Sequence, residues 1–468
     1  MIANLKLYPA MKDSGVPWLG EVPEHWEVRK LRQMLNQNTR RNRPDLPLLS
    51  VVREKGVIKR DVTSKDENYN YIPDDLSNYK VVRSGQFAMN KMKAWQGSYG
   101  ISKYDGIVSP AYFVFDVDGV GGGFFHVAIR SKTYVPFFTQ ASDGVRIGQW
   151  DLSQARMQEI PFSVPPLPEQ LAIVRFLDHV DRRIRKYIRA KQKLIKLLGE
   201  QKQAIIHRAV TRGLDPNVRF KPSGVEWLGK VPEHWEVRRL KQAFRRIVGG
   251  STPSSAEARF WDGDVVWVTP SDISKVGRLS TSLRRITREG LASCSSELVP
   301  RGSIIVTSRA PVGNVSIAEV ELCTNQGCKA LVVSENVVNS AFGLAVLHTL
   351  KDELQSLATG TTFTEISTSK LGTVPMPLPP LHEQAVIVRF LDDATAIIVA
   401  AIERAQREIS LLREYRTRLI ADVVTGKLDV REAAAKLPEE AEEPEPLDEA
   451  DALSDAEEES EVVEELEE

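Results

Sequence analysis

Cysteine is scarce, at 3 in 468 residues, which excludes the disulfide framework of a small secreted fold. No apolar run approaches the roughly 20 residues that a helix needs to cross a bilayer, and the opening stretch MIANLKLYPAMKDSG lacks the apolar segment of a secretory signal. A soluble chain in a reducing cytoplasm is expected. Histidine is also sparse, at 7, and the spacing of Cys294, Cys323 and Cys328 matches no usual zinc pattern, so no metal site is expected and these read as buried thiols. Catalytic signatures are missing too. There is no nucleophile elbow, no HExxH, and no Asn-Pro-Pro-aromatic or Asp-Pro-Pro-aromatic tetrapeptide for base methylation. Pro73, Asp74, Asp75 and Lys80 only loosely imitate a nuclease cluster. GVEWLGK at 224–230 begins like a phosphate-binding loop, but Val231 replaces the required hydroxyl and the matching frame at 15–21 ends in Glu21.

Charge of one sign is lacking only on average. The net charge is −1, yet residues 432–468 hold 18 acidic residues against the single Lys436. The remaining body carries 61 basic and 45 acidic residues, a balance suited to meeting a polyanion. The terminal stretch is rich in Glu, Ala and Pro and poor in aromatics, so it is expected to be disordered.

What the chain has in abundance is internal repetition. Residues 15–33 recur at 224–242 with 15 of 19 positions identical, and residues 166–178 recur at 380–392 with 10 of 13 identical. Between these blocks lie two segments with little mutual identity, so two constant frames hold two unlike inserts. His25 and His234, in the repeated PEHWE, read as members of a packed turn. Prolines open each second block, and a long helix follows. Ile173, Leu177, Val180, Ile184, Tyr187, Leu194, Leu198 and Ile205 form one apolar stripe, widened by Ile188 and Ile195. Ile387, Leu391, Ala394, Ile398, Ala401, Leu412, Tyr415 and Leu419 form the other, at a constant offset of 214. Two stripes of equal length predict an intramolecular antiparallel coiled coil.

The inserts read as mixed α/β, with strands near SIIVTS (303–308), DVVWVT (264–269) and AYFVFDV (111–117). Glycine-rich loops there carry side chains suited to phosphates and base edges. The candidates for DNA contact are Lys91, Lys93, Trp95 and Tyr99 in the first insert and Arg309, Asn314, Asn325 and Gln326 in the second; Thr359 to Phe363 offer similar chemistry.

Over nearly all of residues 1–430 the chain resembles type I restriction specificity subunits. The resemblance rests on Tyr8-Pro9, Lys12 to Gly15 and WLGEVPEHWEV, on PPLPEQ and PPLHEQ, on NKMKAWQG and SPAY, and on GGSTPS, FWDGDVVWVTP, SRAPVGN and TNQGCKAL. It implies an α+β chain with a pseudo-twofold repeat, in which two α/β target recognition domains are separated by two long antiparallel helices, followed by the acidic tail. The expected divisions are 1–25 (N-terminal conserved segment), 26–163 (first recognition domain), 164–215 (central helix), 216–234 (repeated segment), 235–376 (second recognition domain), 377–431 (C-terminal helix) and 432–468 (tail). It further implies a non-catalytic subunit that reads a bipartite site in double-stranded DNA and docks two adenine methyltransferase subunits. No cofactor is expected on this chain: S-adenosylmethionine, ATP and Mg would belong to the methyltransferase and to restriction/translocase partners, and no membrane is involved. The rival from another class is a coiled-coil scaffold whose inserts bind proteins.

Overall fold

The computed structural model describes all residues except 1–4, 54, 61–71, 74, 145–149, 274–276, 359–364 and 439–468. The chain divides into two units, Met1–Ile188 with Ser410–Glu468, and Arg189–Ile409. Each unit closes its insert with the same antiparallel clasp. In the first, Glu27–Lys30 pairs with Pro161–Val164; in the second, Glu236–Arg239 pairs with Pro375–Leu378. An insert therefore begins and ends on neighbouring strands, and what lies between can vary without moving the frame.

The first insert is built on a four-stranded sheet in the order Leu35–Gln37, Tyr112–Val117, Phe87–Asn90, Tyr99–Ile101. Its core is aromatic, with Phe87, Phe115, Phe124, Phe125, Phe138 and Phe162 all buried. The second insert has a five-stranded sheet, Arg246–Gly249, Cys328–Val332, Ile304–Thr307, Val315–Ala318, Arg278–Leu279, with a mainly aliphatic core and a separate aromatic cluster of Phe260, Trp261 and Trp267. Ile304–Thr307 is buried along its whole length, as a central strand covered on both faces requires. Cys323 and Cys328 are buried and burial pushes both thiols up, Cys323 to about 12, whereas Cys294, expected to be buried as well, is only half-buried. Among the described residues no cluster of His, Cys, Asp or Glu fits a metal ion, and no helix is long and apolar enough to cross a membrane.

The repeated blocks meet through one dipeptide. Glu169 accepts hydrogen bonds from Trp26 Nε1 at 2.9 Å and from Tyr8 Oη, and pairs with His25 Nε2 at 2.7 Å. Glu383 does the same for Trp235 Nε1 at 3.0 Å and His234 Nε2 at 2.8 Å. The adjoining glutamine reaches into the insert. Gln170 Oε1 accepts the N–H of Gly121, the N-cap of helix Gly122–Ile129, while Gln384 Oε1 accepts that of Asn339, the N-cap of helix Ser340–Thr349. Two unrelated inserts thus offer the frame the same group, a helix N-terminal N–H that needs an acceptor. The packed-turn reading of His25 and His234 agrees with this clamp.

The long helices are Leu167–Arg212 and Leu381–Val424. In the first unit Ile173, Leu177, Val180 and Ile184 share a core with Leu419 and Val423; in the second, Ala209 and Val210 share one with Ile387 and Leu391. Early residues of one helix meet late residues of the other, so the pairing is antiparallel. Arg416 pairs with Asp181 in the first unit, and Lys191 with Glu408 at 2.6 Å in the second.

Three expected seam residues are corrected. Tyr187, Leu194 and Tyr415 are exposed. A helix of 3.6 residues per turn drifts by about 20° per heptad against a 3.5 repeat, so a strict heptad position rotates out. The seam instead takes a second step of four, through Ile188 after Ile184 and through Ile409 after Ala405, and regains its phase.

The tail also differs from expectation. Residues Arg431–Ala435 form a short helix, Ala434 is buried in the first unit's core, and Glu432 binds Lys6 at 3.0 Å. Val430, Ala433, Ala434 and Leu437 supply an apolar side that the overall acidity masked. Residues 439–468, the rest of the expected tail, lie outside the described residues.

Candidate nucleic-acid interface

In the first insert the NKMKAWQG segment is a hairpin loop. Asn90 ends its strand and its Oδ1 accepts the Met92 N–H at 3.1 Å, which turns the chain. A 3-10 turn, Ala94–Gln96, follows, and Gly97 at φ +94° permits the return into Tyr99–Ile101. Lys91 is tied to Asp151 at 3.0 Å, and Leu152 donates its N–H to the Lys91 carbonyl. Trp95 lies against Trp150 with ring centroids 5.2 Å apart, and its half-buried indole leaves Nε1 without an acceptor among the described residues. Lys93 is exposed. Lys91, Lys93 and Trp95 therefore share one loop, with Lys93 its most open cation.

Tyr99 requires a correction. Its ring is fully buried against Phe87 and Phe138, and burial drives its phenol pKa well up. A side chain so placed packs the insert and presents nothing to a ligand. The loop reads as polar and glycine-rich, but Tyr99 already belongs to the strand. Nearby, Asp75 caps Ser77 and Lys80 Nζ donates to the Tyr112 carbonyl, so two of the loose nuclease-like residues are structural; Asp74 lies outside the described residues.

In the second insert three separated segments converge. The N–H groups of Ser308 and Arg309 both donate to the Gly327 carbonyl, joining SRAPVGN to TNQG. Gly250 of GGSTPS lies against the same loop so tightly that a Cβ there would stand 2.0 Å from the Thr324 oxygen. Thr252 Oγ1 then reaches Gln326 Oε1 at 2.6 Å, and Asn325 Oδ1 accepts the Gly327 N–H at 2.9 Å. Arg309 and Lys329 bind Glu365 at 2.8 and 3.3 Å. Burial opposes the charge on Glu365, yet the Arg309 hydrogen bond and the Lys329 ammonium hold its carboxyl below the usual range.

Arg309, Asn325 and Gln326 are thus gathered into one half-buried cluster. Asn314 stands at the other end of its loop, where its backbone exchanges bonds with Thr307. Thr359 to Phe363 all lie outside the described residues. Sequence reasoning missed Thr252, Lys329 and Glu365, and in the first insert Asp151 and Trp150. GGST was a usable signal for Thr252. Lys329 sits in a strand and Glu365 is 56 residues from Arg309, so nothing local linked them. Arg284, with its guanidinium 3.7 Å from the Trp261 ring centre, was also missed.

The arrangement supplies cations and amides on loops held by sheets, which is what contact with phosphates and base edges needs. The family model for the type I restriction modification DNA specificity domain matches residues 23–196 and again 232–411. Among curated relatives, the type I restriction enzyme MjaIX specificity subunit of Methanocaldococcus jannaschii is 36% identical over 36% of this chain and 40% of its own length. The putative MjaX specificity subunit of the same organism is 24% identical over 88% of this chain and 96% of its own. A solved chain from work on complex assembly and conformational transition of the type I R-M system has a TM-score of 0.64 at 20% identity, covering 87% of this chain and 99% of that one, and shows the shared fold. Two matched segments, one around each insert, establish that the chain belongs to the type I restriction modification DNA specificity domain family.

Proposed function

We propose that the chain is the DNA-reading subunit of a type I restriction-modification complex and performs no chemistry of its own. Each insert reads one half of a bipartite target in double-stranded DNA. The helices fix the unread spacer, and the two frames dock two copies of an adenine methyltransferase that brings S-adenosylmethionine. Restriction/translocase subunits add the ATP- and Mg-dependent steps. The observation that carries this reading is the repeated clasp and Glu-Gln clamp around two unlike inserts. A frame that stays constant presents similar surfaces to identical partners, while unlike inserts suit an asymmetric target. Lys93 and Lys91 are proposed for phosphate, Arg309, Asn325 and Gln326 for base edges or phosphate, Trp95 as support, and Asn314 as a peripheral contact.

Co-expression with a methyltransferase subunit, followed by sequencing of modified adenines, tests this. The expected result is one bipartite sequence with a spacer of fixed length. Methylation without sequence preference would favour the scaffold reading, and modification by the pure chain alone would overturn the non-catalytic assignment.

A further inference from the structure

The run Val174-Arg175-Phe176-Leu177-Asp178 is repeated without change as Val388-Arg389-Phe390-Leu391-Asp392. Leu177 and Leu391 are both buried in the seam, but the neighbouring phenylalanines differ. Phe176 is 3% exposed and Phe390 is 42% exposed. The first is covered by the chain itself. Residues 428–438 turn back after the C-terminal long helix, Asp429 N–H donates to the Lys6 carbonyl, and Val430 and Ala434 enter the same core as Phe176. Arg175 Nη2 then donates to the carbonyls of Leu437 and Pro438 at 2.9 and 3.0 Å, capping the end of that segment.

In the second unit the arginine and the phenylalanine are both kept. Arg389 is exposed, and Val386, Phe390 and Ile397 lie exposed along one stripe of the helix at spacings of four and seven. These exposed apolar side chains beside an exposed arginine offer a partner both an apolar face and a charged donor. The first unit shows what kind of group fits. It is a short helix whose small apolar residues share a core with the phenylalanine, followed by a turn whose carbonyls, those of Leu437 and Pro438, meet the arginine.

We propose that Arg389 and Phe390 form a docking site for the C-terminal end of a helix carried by a partner protein, a site that in the first unit is already filled by residues 428–438. The two frames then differ in availability: the second face is open, whereas a partner using the first must displace this segment. The inference rests on the reading that partner subunits dock on the frames, and it identifies where and through what chemistry.

The test uses the full chain, a purified adenine methyltransferase subunit, and a labelled peptide of residues 427–438. Arg389→Glu and Phe390→Glu alter exposed positions, and thermal melting checks that both variants stay folded. The expected result is a loss of methyltransferase affinity of at least tenfold in each variant, with the peptide competing against the subunit on the unsubstituted chain. If the subunit binds variants and unsubstituted chain equally, or the peptide does not compete, the docking site is refuted while the partner reading stands. If the subunit does not bind the unsubstituted chain, the partner reading fails instead. Direct peptide binding then decides the site: saturable binding lost in Arg389→Glu supports it, and no binding refutes it.

Discussion

Glu169 and Glu383 hold the same position in two copies of one motif, yet Glu169 is 5% exposed and Glu383 is 24% exposed. Both take a tryptophan and a histidine from the PEHWE block. Only Glu169 also takes a tyrosine, Tyr8, whose ring is in turn covered by Arg431 at 5.2 Å. The frame is therefore conserved where it closes an insert and diverges where the N- and C-terminal segments meet over it. One clamp is sealed and the other is open at its rim.

That comparison breaks first at the clamp itself. Glu169→Ala leaves Trp26, Tyr8 and His25 without their acceptor in a buried site and should cost about 3–5 kcal/mol. Glu383→Ala should cost about 1–2 kcal/mol, since water replaces part of what is lost. Denaturant unfolding of the full chain followed by tryptophan fluorescence measures both, and equal losses would contradict the distinction.

The inserts differ next in their response to acid. Burial, with Arg130 and Lys103 nearby, depresses His126 to about 4, and its Nδ1 accepts the Ile101 N–H. The unfolded chain takes up a proton near the ordinary histidine value that the folded imidazole refuses. Stability from this group is therefore complete above about pH 6.5 and lost as pH falls towards 4, by about 3 kcal/mol at most. Burial lowers His348 of the second insert too. His126→Asn should remove the acid dependence of the first insert and leave that of the second, as read by unfolding midpoints between pH 4 and 7.

Smaller effects separate the loops proposed to contact DNA. Arg309→Ala or Gln326→Ala should cost about 1–3 kcal/mol in binding and relax discrimination within one half-site. Lys93→Ala should weaken binding by less than about 1 kcal/mol, evenly across sequences, and flatten the salt dependence by about one charge. Binding isotherms at several salt concentrations, with the complex on matched and mismatched duplexes, distinguish the two patterns. A sequence-selective loss from Lys93→Ala would reverse the assignment.

Much of the frame was legible because its signals are local and doubled. The repeated blocks marked the inserts, the prolines marked the helix starts, and the stripes predicted antiparallel pairing. What stayed hidden depends on distance or phase. Glu169 meets Trp26 across 143 residues of chain, so PEHWE and PLPEQ looked like separate motifs. Tyr187, Leu194 and Tyr415 continue a heptad that the real helix does not keep. Tyr99 follows a polar loop but already opens the strand Tyr99–Ile101, where its ring packs against Phe87 and Phe138. At the candidate interface, Arg309 and Gln326 were readable as residue types in glycine-rich loops. Their shared contacts with Glu365, Lys329 and Thr252 arise only when three strand ends converge.

The central claim is that the frame is constant and each insert reads its own half-site, and an insert exchange tests it most directly. Residues between the clasp strands Glu27–Lys30 and Pro161–Val164 would be replaced by the corresponding insert of a relative, and the methylated sequence determined with the assembled methyltransferase. One half of the target should change while the other half and the spacer length persist. A change in both halves, or in neither, would contradict the account.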